Sequence, residues 1–151
     1  MGEHRVTVEW EADGAFASGC YSRAHRWRFD GGAVVAGSSS PHVVPEPMSD
    51  AAAVDPEEAL VASVSSCHML WFLDLARRAG LDVASYRDAA VGTVARNDEG
   101  RMAMTRIVLR PEIAFAGRVP DAAEVERLHH QAHESCFIAN SLRTEVVVEA
   151  P

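Results

Sequence analysis

Val6, Val8 and Trp10 alternate with Arg5, Thr7, Glu9 and Glu11. A period of two predicts a strand with one buried face. Gly14 and Gly19 flank a turn, a second strand covers Tyr21 to Phe29, and Asp30-Gly31-Gly32 turns the chain into a third at Ala33 to Ala36. The chain therefore opens as a β-meander. The next run, GSSSPHVVPEPMSDAAA from Gly37 to Ala53, holds three prolines and excludes regular structure. A loop of that length in a compact domain often carries function; the plainer reading is a surface excursion.

The period then changes to that of a helix. Asp55 stands at the N-cap, Pro56 at the first helical position and Glu58 at the third, a capping box, and Gly80 supplies a C-terminal stop. Leu60, Val64, Cys67, Trp71 and Leu75 form one stripe, and Val61, Met69, Leu70, Phe72 and Leu73 carry apolar character around most of the helix. A helix apolar nearly all round is a central one. Two strands follow, near Val83 to Arg96 and Met102 to Phe115, joined at Asn97-Asp98-Glu99-Gly100 into a long antiparallel ribbon. Asp121 and Glu124 cap a second helix whose stripe is Val125, Leu128, Ala132 and Cys136, and Arg143 to Glu149 reads as a last strand.

Strands and helices do not alternate as βαβ units, so the class is α+β, with antiparallel sheets around two central helices. The spacing shows no linker and predicts a single domain over residues 1–151. One small sheet cannot cover a helix apolar on all sides. That predicts a fold completed by a second subunit.

Composition narrows the function. The chain has 151 residues, 48% hydrophobic and 24% charged, which is globular and not disordered. Its net charge of −8 argues against nucleic acid and anionic membrane as partners. The charged start resembles no signal peptide. The longest uncharged apolar stretch, Ala59 to Leu73, is too short for a bilayer span and reads as a core helix. The expected compartment is the cytoplasm, where thiols stay reduced. Three cysteines, Cys20, Cys67 and Cys136, are too few and too odd for a disulfide framework. Two of them lie on the inward stripes of the two helices. Each alone reads as a small core residue. Helices packed through those faces lie about 8–10 Å apart, which can bring facing thiols into contact.

The segment DPEEALVASVSSCHMLWFLDLARRAGLDV resembles the central-helix signature of the OsmC/Ohr family, the osmotically inducible and organic-hydroperoxide-resistance proteins. Asp-Pro-Glu stands about ten residues before a Cys in a helix that ends at Gly. AHESCFIANSL resembles the family's second Cys region, followed by a C-terminal strand. The resemblance implies an OsmC-like fold completed in an intertwined homodimer, and a cofactor-free thiol peroxidase with shared active sites. By position Cys67 is similar to the peroxidatic Cys, Cys136 to the resolving Cys and Glu57 to the family Glu. The family Arg that activates the thiolate lies, in the Ohr branch, in the N-terminal hairpin. Arg23 fits that place, with Arg26 and Arg28 as rivals. In the OsmC branch the Arg comes from the loop before the helix, and residues 37–54 hold no Arg or Lys.

Physical chemistry supports the need for such an Arg. A thiol of ordinary pKa ~8.5 is only about 3% ionised at pH 7, and full ionisation needs roughly 2 kcal/mol of preference for the anion. The helix N-terminus cannot provide it, because Cys67 is about 18 Å along the axis from the cap and the dipole effect fades within a turn. Burial acts in the opposite direction. A cation from elsewhere is required, and Arg stays charged when partly buried. Glu57 is about 15 Å from Cys67 by helical rise, which favours a Glu57 from the partner subunit that fixes the Arg23 guanidinium. On its own residues, Glu57 reads equally as a carboxylate favoured in a first helical turn.

The implied chemistry is reduction of organic hydroperoxides: a Cys67 sulfenic acid, a Cys67–Cys136 disulfide, and recycling by an external dithiol of lipoyl or other type. Apolar neighbours (Met69, Trp71, Phe72, Phe137, Ile138) suit alkyl or lipid peroxides. Alternatives are a redox sensor or small-ligand carrier on the same fold, or a metal site from His129, His130, His133 and Cys136, which Cys67 and His68 could join, although no CxxC pair accompanies them. These histidines otherwise line a solvent face or flank the site. Cys20 has no counterpart in the family pattern. No phosphate loop and no Ser-His-Asp order is present.

Overall fold

The computed structural model describes residues 2–149 and divides the chain into two compact units, Met1–Ala59 and Leu60–Pro151. The first unit is a three-stranded antiparallel meander of β1 (Val6–Glu9), β2 (His25–Phe29) and β3 (Val34–Gly37). Its register pairs Val8 with Trp27 and Trp27 with Val35. The alternation in β1 is real, but both of its faces are exposed, with Val6 at 54% and Val8 at 61%. The strand lies at a sheet edge, so its apolar side chains gain partners only across β2. β2 begins at His25 rather than Tyr21. Residues 21–24 run without strand pairing, tied instead by Arg23 N–H to Met48 O (2.8 Å). The loop before the helix is made of turns, and it closes with a bridge from Gly37 to Val54.

Helix α1 (Pro56–Arg78) starts at the expected capping box. Glu58 N–H donates to Asp55 Oδ1 (2.7 Å) and Asp55 N–H to Glu58 Oε2 (3.2 Å). It ends where Gly80 takes φ 75°, with Leu81 N–H returning to Ala76 O (3.0 Å), a geometry that needs a residue without Cβ strain. The fifteen-residue apolar stretch therefore belongs to a helix of 23 residues, which by length and composition alone is long and apolar enough to cross a membrane. Within the chain it is only partly covered, with 22% of that apolar window buried. The fully buried positions are Val64, His68, Phe72 and Ala76, one residue round from the expected Cys67 stripe. A helix rich in apolar residues on every side offers several stripes, and tertiary contact selects among them.

In the second unit, β4 (Asp82–Asp88), β5 (Val91–Arg96), β6 (Met102–Leu109) and β7 (Pro111–Ala116) carry the expected ribbon, turned at Asn97–Gly100. The ribbon is broken into two sheets, β4–β7 and β5–β6. The break falls where Asp88 accepts Arg110 N–H (2.6 Å) and Pro111 starts β7, so backbone pairing gives way to a side chain. α2 (Ala122–Ser135) is capped by Asp121, which accepts Glu124 N–H (2.8 Å). A short α3 (Phe137–Asn140) and β8 (Glu145–Val148) follow. β8 pairs with β6 in parallel, the exception to the expected antiparallel sheets. The long return through α2 and α3 allows that direction. One core joins Phe72, Ala76, Leu81, Leu128 and Ala132; another joins Val64, Ile107 and Leu109. The architecture is α+β.

Candidate active site

The second unit brings two of the four expected site residues together. Cys67 lies half-buried on α1, and Cys136 is buried at the corner where α2 ends and α3 begins. Cys136 closes α2 by donating its N–H to His133 O (3.2 Å) and opens α3 by accepting Ala139 N–H at its sulfur (3.4 Å). A residue held from both sides has a fixed thiol position. Both sulfurs are free thiols. Burial pushes the Cys136 thiol up to about 11, and the neighbouring Cys67 thiol adds to the rise. Trp71, one turn after Cys67, meets Phe137, next to Cys136, edge to face at 5.7 Å between ring centroids. Phe137 is 70% exposed, so this apolar cover is open to solvent on one side. Cys20 is exposed in the first unit.

The other two expected residues meet in the first unit. Arg23 and Glu57 line one pocket of about 460 Å³, together with Trp10, Phe16, Tyr21 and His25. The Arg23 guanidinium lies 3.7 Å above the Tyr21 ring and donates to the carbonyls of Gly19 (3.2 Å) and Tyr21. Stacking and backbone acceptors hold the cation without neutralising it. Among the described residues no ion pair joins Arg23 to Glu57 or to any other carboxylate. The rivals differ. Arg28 is paired with Glu9 (2.6 Å) and Arg26 is exposed; alternation in β2 sets both on the face opposite His25 and Trp27.

His68 and His129, grouped in the sequence only as possible metal ligands, form a buried pair. His68 Nε2 and His129 Nδ1 are 3.0 Å apart, with rings stacked at 5.3 Å. Burial lowers both to about 4, and for His68 the neighbouring His129 and His133 lower it further. Phe72 stacks on His129 at 4.4 Å. The signal was present in the spacing, since His68 continues the Val64, Phe72, Ala76 register. The three-histidine run does not act as one solvent face: His129 is buried, His133 is half-buried, and His130 is exposed beside Glu134 (3.4 Å). Among the described residues no three of His, Cys, Asp and Glu converge as a metal-binding group.

Comparison with known proteins follows the same lines. The profile of the OsmC-like protein family matches residues 49–150. No curated protein matches. An OsmC-like protein of unknown function from Vibrio cholerae is 51% identical, with full coverage of both chains and a TM-score of 0.97. A Legionella pneumophila organic hydroperoxide resistance protein OsmC, described as a predicted redox protein and regulator of sulfide bond formation, is 14% identical over 99% of this chain and 96% of its own, with a TM-score of 0.72. The organic hydroperoxide resistance protein OhrB of Bacillus subtilis is 15% identical over 99% and 98%, with a TM-score of 0.68. At such low identity, the last two share the fold.

Proposed function

The chain belongs to the OsmC-like protein family, and from that premise we propose that it is a cysteine-based peroxidase for organic hydroperoxides, working in the cytoplasm. The observation that carries this reading is the contact of the Cys67 and Cys136 thiols, one half-buried and one buried and held protonated. Peroxide attack falls to Cys67, the more accessible sulfur. Its thiolate takes the outer oxygen of ROOH, the O–O bond breaks, and RO⁻ leaves as ROH after taking a proton. Cys67 becomes a sulfenic acid. The Cys136 sulfur then attacks it, the S–O bond breaks, and the Cys136 proton leaves with the hydroxide as water. An external dithiol reduces the disulfide by exchange and ends as a disulfide itself.

The Arg23 guanidinium, held by the Tyr21 ring and backbone carbonyls, supplies the positive charge that favours the thiolate and the leaving alkoxide, with Glu57 in the same pocket. In a homodimer, the Arg23–Glu57 pocket of one subunit meets the cysteine pair of the other. Support for this comes from Arg23 having no ion-pair partner among the described residues, whereas Arg28 is paired with Glu9.

The test is consumption of cumene hydroperoxide with dihydrolipoamide as reductant. Wild type turns over, Cys67→Ser does not, and Cys136→Ser stops after one equivalent with a dimedone-reactive sulfenic acid. Turnover that survives in Cys67→Ser would refute the proposal.

A further inference from the structure

The loop between β1 and β2 is unusually well built for an exposed segment. Trp10 donates its indole N–H to Ser22 O (2.8 Å). The Asp13 carboxylate accepts the backbone N–H groups of Ala15 (3.0 Å) and Ser22 (2.9 Å), so it pins both ends of the loop. A 3₁₀ turn at Phe16–Ser18 is closed by Gly19 at φ 78°, whose N–H returns to Phe16 O. These bonds hold three rings in mutual contact: Trp10–Phe16 at 5.7 Å, Trp10–Tyr21 at 5.5 Å and Phe16–Tyr21 at 5.0 Å, all tilted or edge-on. Folding alone does not explain the cluster. Phe16 stays 59% exposed and Trp10 39%, and the rings line the pocket that Arg23 and Glu57 also line.

We propose that the Trp10–Phe16–Tyr21 cluster is an aryl-binding subsite that makes this chain favour aromatic over aliphatic ligands. Trp10 and Phe16, both partly open to solvent, offer ring faces and edges to a fourth ring, while one face of Tyr21 carries the Arg23 guanidinium. Such ring pairs are worth about two- to tenfold in affinity beyond the area they bury. A flexible alkyl chain gains the area alone. The pocket, about 460 Å³, is the size of a small-molecule site, and preformed walls spare the ligand the cost of ordering them. Its polar end is the Arg23 guanidinium, which suits an oxygen carried next to the ring. The inference rests on the peroxidase reading only in taking that oxygen as a peroxide or its alcohol product.

Two pairs of probes isolate the ring, because tert-butyl hydroperoxide and tert-butanol differ from cumene hydroperoxide and 2-phenyl-2-propanol by methyl in place of phenyl. Calorimetry measures the alcohols and steady-state turnover the peroxides. The expected result is tighter binding of 2-phenyl-2-propanol, and a cumene to tert-butyl ratio of kcat/KM that falls by about tenfold in Trp10→Ala and in Phe16→Ala. Phe29→Ala, an exposed ring outside the pocket, leaves the ratio as in wild type. Turnover of both peroxides with ratios unmoved by the Trp10 and Phe16 variants overturns the subsite and leaves the peroxidase reading intact. Selective binding of the phenyl alcohol without turnover of either peroxide supports the subsite and overturns that reading. Equal or no binding of the two alcohols overturns the subsite.

Discussion

The imidazoles of His68 and His129 meet at 3.0 Å, Nε2 to Nδ1, while their outer nitrogens, His68 Nδ1 and His129 Nε2, are buried without a partner. A neutral pair shares one proton across that contact; adding a second proton places charge in a site that cannot solvate it. The folded-state values of about 4 lie below the ordinary 6.5. The unfolded chain therefore takes up protons first as pH falls. The stabilisation is complete above pH 6.5, is lost between pH 6.5 and about 4, and changes no further below that. A loss on the order of 3 kcal/mol is expected across that window. His133 and Asp88 bear on the same pair and act in opposite senses. The lowered carboxylates, Asp13, Asp74 and Glu124, act only at more acid pH. Urea melts at graded pH measure this, and a midpoint that stays constant down to about pH 4.5 contradicts it.

Cys136, buried in the second unit, and Cys20, in the first, differ in what they expose. Cys136 is 1% exposed and its thiol is raised to about 11, whereas Cys20 is exposed. Iodoacetamide at pH 8 is expected to label Cys20 at least tenfold faster than Cys136, because the thiolate is the reacting form. The raised value also implies that stability falls as pH climbs from 9.0 to about 11, where the unfolded thiol ionises first. Peptide mass spectrometry over time reads the labelling. Equal rates at the two sites refute the burial argument.

Elements with local causes were legible in the sequence. The capping box at Asp55–Glu58, the Asp121 cap and the stop at Gly80 rest on bonds and backbone angles within a few residues, so spacing alone reveals them. Features set by distant contact were not. Which stripe of α1 faces inward depends on what packs against it, and His68 rather than Cys67 holds the buried register because His129 answers it. The break in the ribbon depends on Asp88 reaching Arg110, and the parallel β6–β8 pairing depends on a return of more than thirty residues. Of the site, the proximity of Cys67 and Cys136 follows from the helix stripes and the family resemblance, whereas Glu57 was expected from the partner subunit and instead lines one pocket with Arg23 of its own chain. The ring cluster beside Arg23 was not, since Trp10, Phe16 and Tyr21 share no period.

The Asp55 cap gives a direct stability measurement. Its carboxylate accepts Glu58 N–H at 2.7 Å, and its own N–H is held in return by Glu58. Asp55→Ala removes both the acceptor and the favourable charge at the helix start, an expected loss of about 1 kcal/mol. For a chain of this size that corresponds to a drop of about 2–4 °C in Tm. Asp55→Asn keeps the acceptor and is expected to lose less than half as much. If both variants melt together, the cap acts by charge alone.

The proposed division of the site between subunits makes the sharpest demand. Arg23→Ala and Cys67→Ser each remove one half of a composite centre, so each homodimer is expected to be at least a hundredfold less active. When the two variants are co-expressed, half of the dimers are mixed. In a mixed dimer, one site combines the intact Arg23 of one chain with the intact Cys67 of the other, and the second site lacks both. Random pairing in a two-fold dimer therefore restores about a quarter of wild-type sites. If Arg23 and Cys67 act within one chain, every site in the mixed dimer lacks one group and nothing is restored. Peroxidase activity of the tagged, purified mixed dimer separates the two arrangements, and activity no greater than that of the single variants rules out the shared site.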